Sequence, residues 1–328
     1  MNPFFNEDWL VHEENYQEAM KKEILPFLQA REHLKTVHGY ENRPLYTVHL
    51  AADHPIGSVM IVHGFTENAY KYAELVYSLL HNGLNVIIYD QRGHGRSWRH
   101  DDITDTSLTH VDSFNEYVKD MEAVVDQVLT RYQRPWMVFA HSMGGAVTAL
   151  FLERHPEVFS RAVLSAPMIA ANRGGIPFFT GKLICRGARL TGRGLDRLFN
   201  SKPYDGPEDF STAAASSRQR FDWYDEIKAL RPEFQNNGPT FTWVLQSLRI
   251  SQYILLPGAV ERIICPVHVY TAEHDTMVLP RAQAMFVNRL RHGQRSLVKS
   301  AKHEIYRSVD DVLYPWWHEV LGFLKDLE

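Results

Sequence analysis

The stretch Val138-Phe139-Ala140-His141-Ser142-Met143-Gly144-Gly145 constrains this chain more than any other. An apolar run over 136–140 reads as a buried strand, and Val147, Leu150 and Phe151 follow at helical spacing. A serine stands at the corner between them. A strand that turns sharply into a helix strains its corner residue and pushes that side chain out of the sheet. Small residues two before and two after the corner let strand and helix pass closely, and here they are Ala140 and Gly144. Alanine in place of the first glycine of Gly-x-Ser-x-Gly adds one methyl group. The free N–H groups at the start of the helix favour negative charge beside the serine. The plainer reading is a serine N-cap on a glycine-containing helix.

Strands and helices alternate on both sides of this corner. Residues 45–50 alternate like a strand, and 58–62 form an apolar run ending in His63-Gly64-Phe65. Residues 86–89 form another, ending in Asp90-Gln91-Arg92-Gly93-His94-Gly95-Arg96-Ser97. Helical spacing marks Tyr72, Leu75, Val76 and Leu79, and again Phe114, Tyr117, Val118 and Met121. Later strands are predicted at 162–164, 267–271 and 296–298, with helices over 281–290 and 309–327. This pattern predicts an α/β fold with a mostly parallel central sheet covered by helices on both faces. In such sheets ligands bind at the carboxyl ends of the strands.

The predicted core is 45–167 plus 257–328. Residues 1–44 form an N-terminal arm, helical to about 40, with Tyr16, Ala19, Met20 and Ile24 on one face. Over 168–256 the alternation breaks into glycine-rich pieces, aromatics and helical patches. That stretch reads as an inserted helical cap.

A serine hydroxyl is a poor nucleophile near neutral pH. It needs a base within hydrogen-bond reach and an acid to orient the base. The strand at 267–271 leads into Ala272-Glu273-His274-Asp275, and the strand at 296–298 leads towards His303. Both loops fall at strand carboxyl ends, in the order Ser142, Asp275, His303. Glu273 and His274 are the nearest alternatives in the acid loop, and His141 and His63 are further histidines near the serine. The chain holds 17 histidines, so most serve packing or the surface. An oxyanion needs two preorganised donors. The N–H of Met143 is one, and the N–H of Phe65, after the strand at 58–62, suits the other.

Taken together, His63-Gly64-Phe65, the 90–97 turn, Ala140-His141-Ser142-Met143-Gly144-Gly145, Asp275 and His303 resemble the α/β-hydrolase fold. They are most similar to its monoglyceride lipase and lysophospholipase branch, and within it to bacterial lysophospholipases. The resemblance runs from about residue 45 to the C-terminus. It extends to His110-Val111-Asp112-Ser113-Phe114-Asn115-Glu116-Tyr117-Val118 and to cap segments Ser217-Arg218-Gln219-Arg220 and Gly238-Pro239-Thr240-Phe241-Thr242-Trp243. It implies a serine hydrolase that cleaves the carboxylic ester of a lipid with one acyl chain, a lysophospholipid or a monoacylglycerol. Cap aromatics such as Trp223 and Trp243 are candidates to line an acyl tunnel, with a cap core as the plainer reading. Arg218 and Arg220 are candidates to meet a phosphate head group, with surface ion pairs as the alternative. The competing functions are an esterase or aminopeptidase on small substrates, and a non-catalytic binding protein of the same fold. A serine at the corner argues against relatives of this fold that use an aspartate nucleophile.

Composition narrows the partners. A formal net charge of −4 argues against a nucleic-acid binder. Cys185 and Cys265 make no metal or redox spacing, and no metal-ligand cluster or nucleotide loop stands out, so neither cofactor nor metal is expected. The start of the chain lacks a basic region followed by an apolar run, and no uncharged stretch approaches the roughly 20 apolar residues of a membrane span. A cytoplasmic protein is expected, peripheral to the inner face of the membrane. Peripheral contact is predicted through 172–203, where Lys182, Arg186, Arg189, Arg193 and Arg197 recur at steps of three and four.

Overall fold

The computed structural model describes residues 9–199 and 201–325. Its main sheet has eight strands in the order β1-β2-β4-β3-β6-β7-β9-β10. These are β1 (Glu32–His38), β2 (Pro44–Leu50), β3 (Gly57–Val62), β4 (Leu84–Tyr89), β6 (Trp136–His141), β7 (Arg161–Ser165), β9 (Val267–Ala272) and β10 (Gly293–Val298). Pairing is antiparallel in β1–β2 and β2–β4 and parallel from β4 to β10. β5 (Leu108–Thr109) and β8 (Gly238–Pro239) form a separate parallel pair.

The central strands are buried at nearly every position, and mostly apolar, because both faces are covered. Their side chains alternate between two cores. Met60, Val62, Val138, Ala140 and Leu164 enter one, with residues of α4 (Asn115–Gln127), α5 (Met143–Arg154) and α9 (Pro280–Val287). Val59, Ile61, Met137, Phe139 and Val163 enter the other, with α3 (Ala73–His81) and α10 (Asp310–Lys325). Each such fully buried aliphatic or aromatic side chain contributes about 1.5–3 kcal/mol.

The N-terminal arm differs from its sequence reading. Helix α1 (Tyr16–Ala19), a π turn at Met20–Ile24 and α2 (Leu25–Gln29) bury Tyr16, Met20 and Ile24 against the second core, as the spacing predicts. The helix then stops, and β1 joins the sheet in place of continued helix to about 40. Only Val37 of β1 is buried, because the strand lies on the sheet edge. An edge strand with six polar-facing or partly exposed positions carries almost no hydrophobic signal. Residues 1–8 of the expected arm lie outside the described residues.

Between β7 and β9 the chain leaves the main sheet. It forms α6 (Phe178–Leu190), α7 (Arg218–Leu230), β8 and α8 (Phe241–Ile254). Helices α6 and α8 pack together around Cys185, Phe241 and Leu245.

Candidate active site

The carboxyl ends of β3, β6, β9 and β10 meet on one edge of the sheet. Ser142 joins β6 to α5 with φ 49° and ψ −116°, a left-handed conformation that costs a non-glycine residue of order 1–3 kcal/mol. Its neighbours explain why the strain persists. A Cβ on Gly144 would lie 2.1 Å from the Val62 carbonyl oxygen, and one on Gly145 would lie 2.5 Å from Pro167 Cβ. Strand and helix therefore close tightly around the corner, and the Ser142 backbone is pinned by bonds to Ser165 O (3.1 Å) and from Met168 N (2.8 Å).

Ser142, His303 and Asp275 form one hydrogen-bonded line. His303 Nε2 is 2.8 Å from Ser142 Oγ, and His303 Nδ1 is 2.8 Å from Asp275 Oδ2. Asp275 Oδ1 also accepts the N–H groups of Met277 (2.8 Å) and Val278 (3.0 Å). Burial pushes the Asp275 carboxyl up, but the His303 hydrogen bond and charge and the two N–H donors outweigh it and hold the group below the usual range. It therefore stays ionised beside the imidazole. Glu273 points away, accepting the N–H of Ser300 at 2.8 Å.

The N–H groups of Phe65 and Met143 donate to no protein acceptor among the described residues. The turn carrying Phe65 is fixed from several sides. His63 Nε2 accepts the N–H of Gln91 at 2.9 Å, and the Gln91 amide donates to His63 O at 2.6 Å. Gly64 N–H donates to Glu67 Oε2 at 2.6 Å.

Glu67 belongs to a buried network that no short motif announces. Its carboxylate takes the hydroxyls of Tyr72 (2.6 Å) and Tyr306 (2.7 Å) and the ammonium of Lys71 (3.2 Å). Lys71 also binds Glu304 at 2.6 Å, and Glu304 pairs with Arg307 at 2.6 Å. Burial raises the Glu67 carboxyl, yet the Lys71 charge and the two tyrosine hydroxyls hold it far below the usual range. Glu304 is drawn down to about 2 against its burial, by Lys71 and Arg307. His141, beside the serine, is pushed down to about 4, mainly by burial, so it is neutral near pH 7 and unsuited to act as a base there. The one visible clue was the helical spacing of Glu67 and Lys71.

A cavity of about 700 Å³ opens onto Ser142 and His303. Its wall mixes apolar side chains such as Phe65, Phe221 and Met277 with the charged groups Lys71, Glu304 and Arg307, and with Tyr204, Glu208 and Lys228 from the 168–256 stretch.

The remaining candidates sit apart from this cavity. Arg220 is fully buried, and its guanidinium is consumed by Glu74, Asp310 and the carbonyls of Ser308 and Val11. It therefore ties α7 to α3, α10 and the N-terminal segment, and a phosphate head group has no donor left to use. Arg218 is an exposed partner of Asp222 at 2.7 Å. Trp223 stacks on Tyr70 and meets Tyr16 edge-on, packing rather than lining. Trp243 is buried with its ring centroid 4.1 Å from that of Phe65. The basic stripe is shorter than its spacing predicts. Helix α6 ends at Leu190, and Gly192 at φ 78° turns the chain. Arg193 then pairs with Asp196, and Arg197 turns inward to Asp105 and Ser107.

With this geometry in view, the comparisons with known proteins converge. Residues 53–310 match the family model described as serine aminopeptidase, S33. Lysophospholipase L2 of Escherichia coli K12 is 30% identical over 97% of this chain and 94% of its own. The probable lysophospholipase L2 of Haemophilus influenzae is 27% identical over 92% of this chain and 95% of its own. Among solved structures, a soluble variant of monoglyceride lipase from Saccharomyces cerevisiae superposes with a TM-score of 0.68 at 17% identity, over 90% of this chain and 96% of that one. A carboxyl esterase from Bacillus coagulans does so at 0.73 and 15% identity, over 90% and 98%. The fold is that of the α/β-hydrolases.

Proposed function

The chain belongs to the serine aminopeptidase S33 family of α/β-hydrolases, and from that premise we propose that it hydrolyses the carboxylic ester of a single-chain lipid through an acyl-enzyme on Ser142. Lysophospholipid is the first substrate class and monoacylglycerol the second. The observation that carries the reading is the line Ser142–His303–Asp275 ending on a strained serine. The names of the relatives supply the substrate class.

The steps follow from the geometry. His303 Nε2 takes the Ser142 proton as Oγ attacks the ester carbon. The oxyanion settles against the N–H groups of Phe65 and Met143, at the positive end of α5. Asp275 stabilises the imidazolium, which then protonates the departing alcohol. Water, activated by the same imidazole, releases the fatty acid. The interleaved cations and anions of the cavity wall suit a zwitterionic or hydroxylated head group better than bare hydrocarbon.

Residues 168–256 act in this reading as a cap over the site, and α6 as its contact with the lipid surface. Phe179 (81% exposed), Leu183 (72%) and Leu190 (88%) share one face of α6, with Lys182, Arg186 and Arg189 alongside. No described helix is long and apolar enough to cross a membrane.

The deciding assay sets purified protein against lysophospholipids, monoacylglycerols, short nitrophenyl esters and aminoacyl anilides. Lysophospholipids should give the highest kcat/KM. Faster turnover of the anilides would replace this reading with a peptidase. Fluorophosphonate labelling should give one adduct, absent in Ser142→Ala; an undiminished adduct there would refute Ser142 as the nucleophile.

A further inference from the structure

Far from any role in the ester chemistry, His100, His110 and Asp112 converge in the segment leading to α4. One ligand atom from each lies within 4.8 Å of the others, the only such group of three among the described residues. We propose that these three side chains bind a zinc ion that ties residue 100 to the 110–112 turn and so fixes His110 against the start of α8.

His110 carries the argument. Its side chain is 2% exposed, and its Nε2 is buried with no hydrogen-bond partner. A buried imidazole nitrogen without a well-placed hydrogen-bond partner is poorly compensated for its lost hydration. That atom faces Asp112, 3.4 Å from Oδ1. The other nitrogen, Nδ1, is 2.9 Å from Thr240 Oγ1. With Nδ1–H donating to that hydroxyl, Nε2 presents a free lone pair, the tautomer a metal requires.

The remaining ligands stand at nearly the right separations. Tetrahedral zinc with bonds of about 2.0–2.1 Å spaces its ligand atoms at roughly 3.3–3.5 Å. His110 Nε2 is already 3.4 Å from Asp112 Oδ1, and His100 Nε2 is 3.8 Å from the other oxygen, Oδ2, so the set closes once Asp112 rotates to offer both imidazoles one oxygen. The two imidazoles meet edge-on at 5.0 Å between centroids. His100 is half-buried and Asp112 exposed, so small side-chain rotations close the set. On binding, His100 Nδ1 would turn from the Asp102 N–H to the Asp102 carboxylate, whose Oδ2 is 3.9 Å away. Two imidazoles and one carboxylate select zinc over magnesium or calcium, with water in the fourth position.

The consequence reaches the site indirectly. Thr240 caps α8, its Oγ1 accepting the N–H of Trp243 at 3.1 Å, and Trp243 packs on Phe65. Strands β5 and β8 bridge the same two segments with a pairing of only two residues each. A metal there would hold His110, and with it the hydrogen bond to Thr240, in place beside this weak junction.

Zinc chloride titrated calorimetrically into the full chain should show one site, and zinc should raise Tm by a few degrees. His100→Gln and Asp112→Asn, neither buried and so compatible with folding, should each weaken binding at least tenfold, and cobalt should give a tetrahedral absorption spectrum lost in the same variants. His33→Gln, at the stacked His33–His49 pair on the sheet edge, should bind as wild type. Absence of stoichiometric zinc binding, binding unchanged in both His100→Gln and Asp112→Asn, or loss in His33→Gln alone would overturn the proposal.

Discussion

The carboxylate of Glu67 holds the N–H of Gly64 at 2.6 Å, one residue before Phe65, whose amide we propose as an oxyanion donor. The same carboxylate is anchored by Tyr72, Tyr306 and Lys71, so a rigid polar block aims that turn. Glu67→Gln keeps the shape but weakens a charge-assisted bond and leaves Lys71 paired with Glu304 alone. We expect kcat to fall roughly 10–100-fold with KM little changed, because a misaimed oxyanion donor is felt in the transition state. A rise in KM at constant kcat would make Glu67 a substrate-binding residue instead.

Asp275 is predicted to orient His303 and to stabilise its protonated form. Asp275→Asn should lower kcat by about 10⁴, the magnitude known for the corresponding change in a serine-protease triad, with Tm near wild type. Glu273→Gln should leave kcat within a few-fold, since Glu273 holds the Ser300 amide. The reverse pattern in steady-state kinetics would exchange their roles.

Gly144 has no room for a methyl group. Its Cβ would meet Val62 O at 2.1 Å and His63 O at 2.6 Å, both backbone atoms that cannot rotate aside. Gly144→Ala should cost on the order of 3 kcal/mol and shift the end of β3, with the turn at Phe65. Thermal unfolding measures the first effect and fluorophosphonate reaction rate the second. A stable, fully reactive variant would show that the corner is looser than drawn.

Contact between α6 and anionic vesicles should need both of its outward components. Replacing Phe179 and Leu183 by serine should reduce co-sedimentation at every salt concentration. Replacing Lys182, Arg186 and Arg189 by glutamine should reduce it mainly at low salt, where charge is least screened. Binding insensitive to both sets would exclude this helix as the docking surface.

What the sequence revealed follows the strength of local signals. The strands of the central sheet carry short apolar runs, so their alternation with helices could be read, as could the loops that carry Ser142, Asp275 and His303. β1 escaped because it buries Val37 alone. Arg220 looked like a head-group ligand because its partners, Glu74 and Asp310, are 146 and 90 residues away. The Glu67 network and the His100–His110–Asp112 cluster are likewise built across turns and between elements, where spacing along the chain carries little information.

Glu153 gives a pH test independent of the chemistry. It lies buried on α5, and its Oε1 has no hydrogen-bond partner. Burial pushes its carboxyl up to about 8 from the ordinary 4.5, although Arg262, Arg154 and Arg289 pull the other way. Between those two values the folded chain keeps a proton that the unfolded chain has lost. Stability must therefore fall as pH rises from about 4.5 towards 8, through this group alone. Glutamine mimics the protonated form at all pH values. Glu153→Gln should be close to neutral near pH 4.5 and stabilising by roughly 2–4 kcal/mol at pH 8 and above. Urea unfolding of both proteins across this range measures the difference. A gap that does not widen with pH would mean that Glu153 is already ionised in the fold, held by Arg262 and Arg289 against its burial.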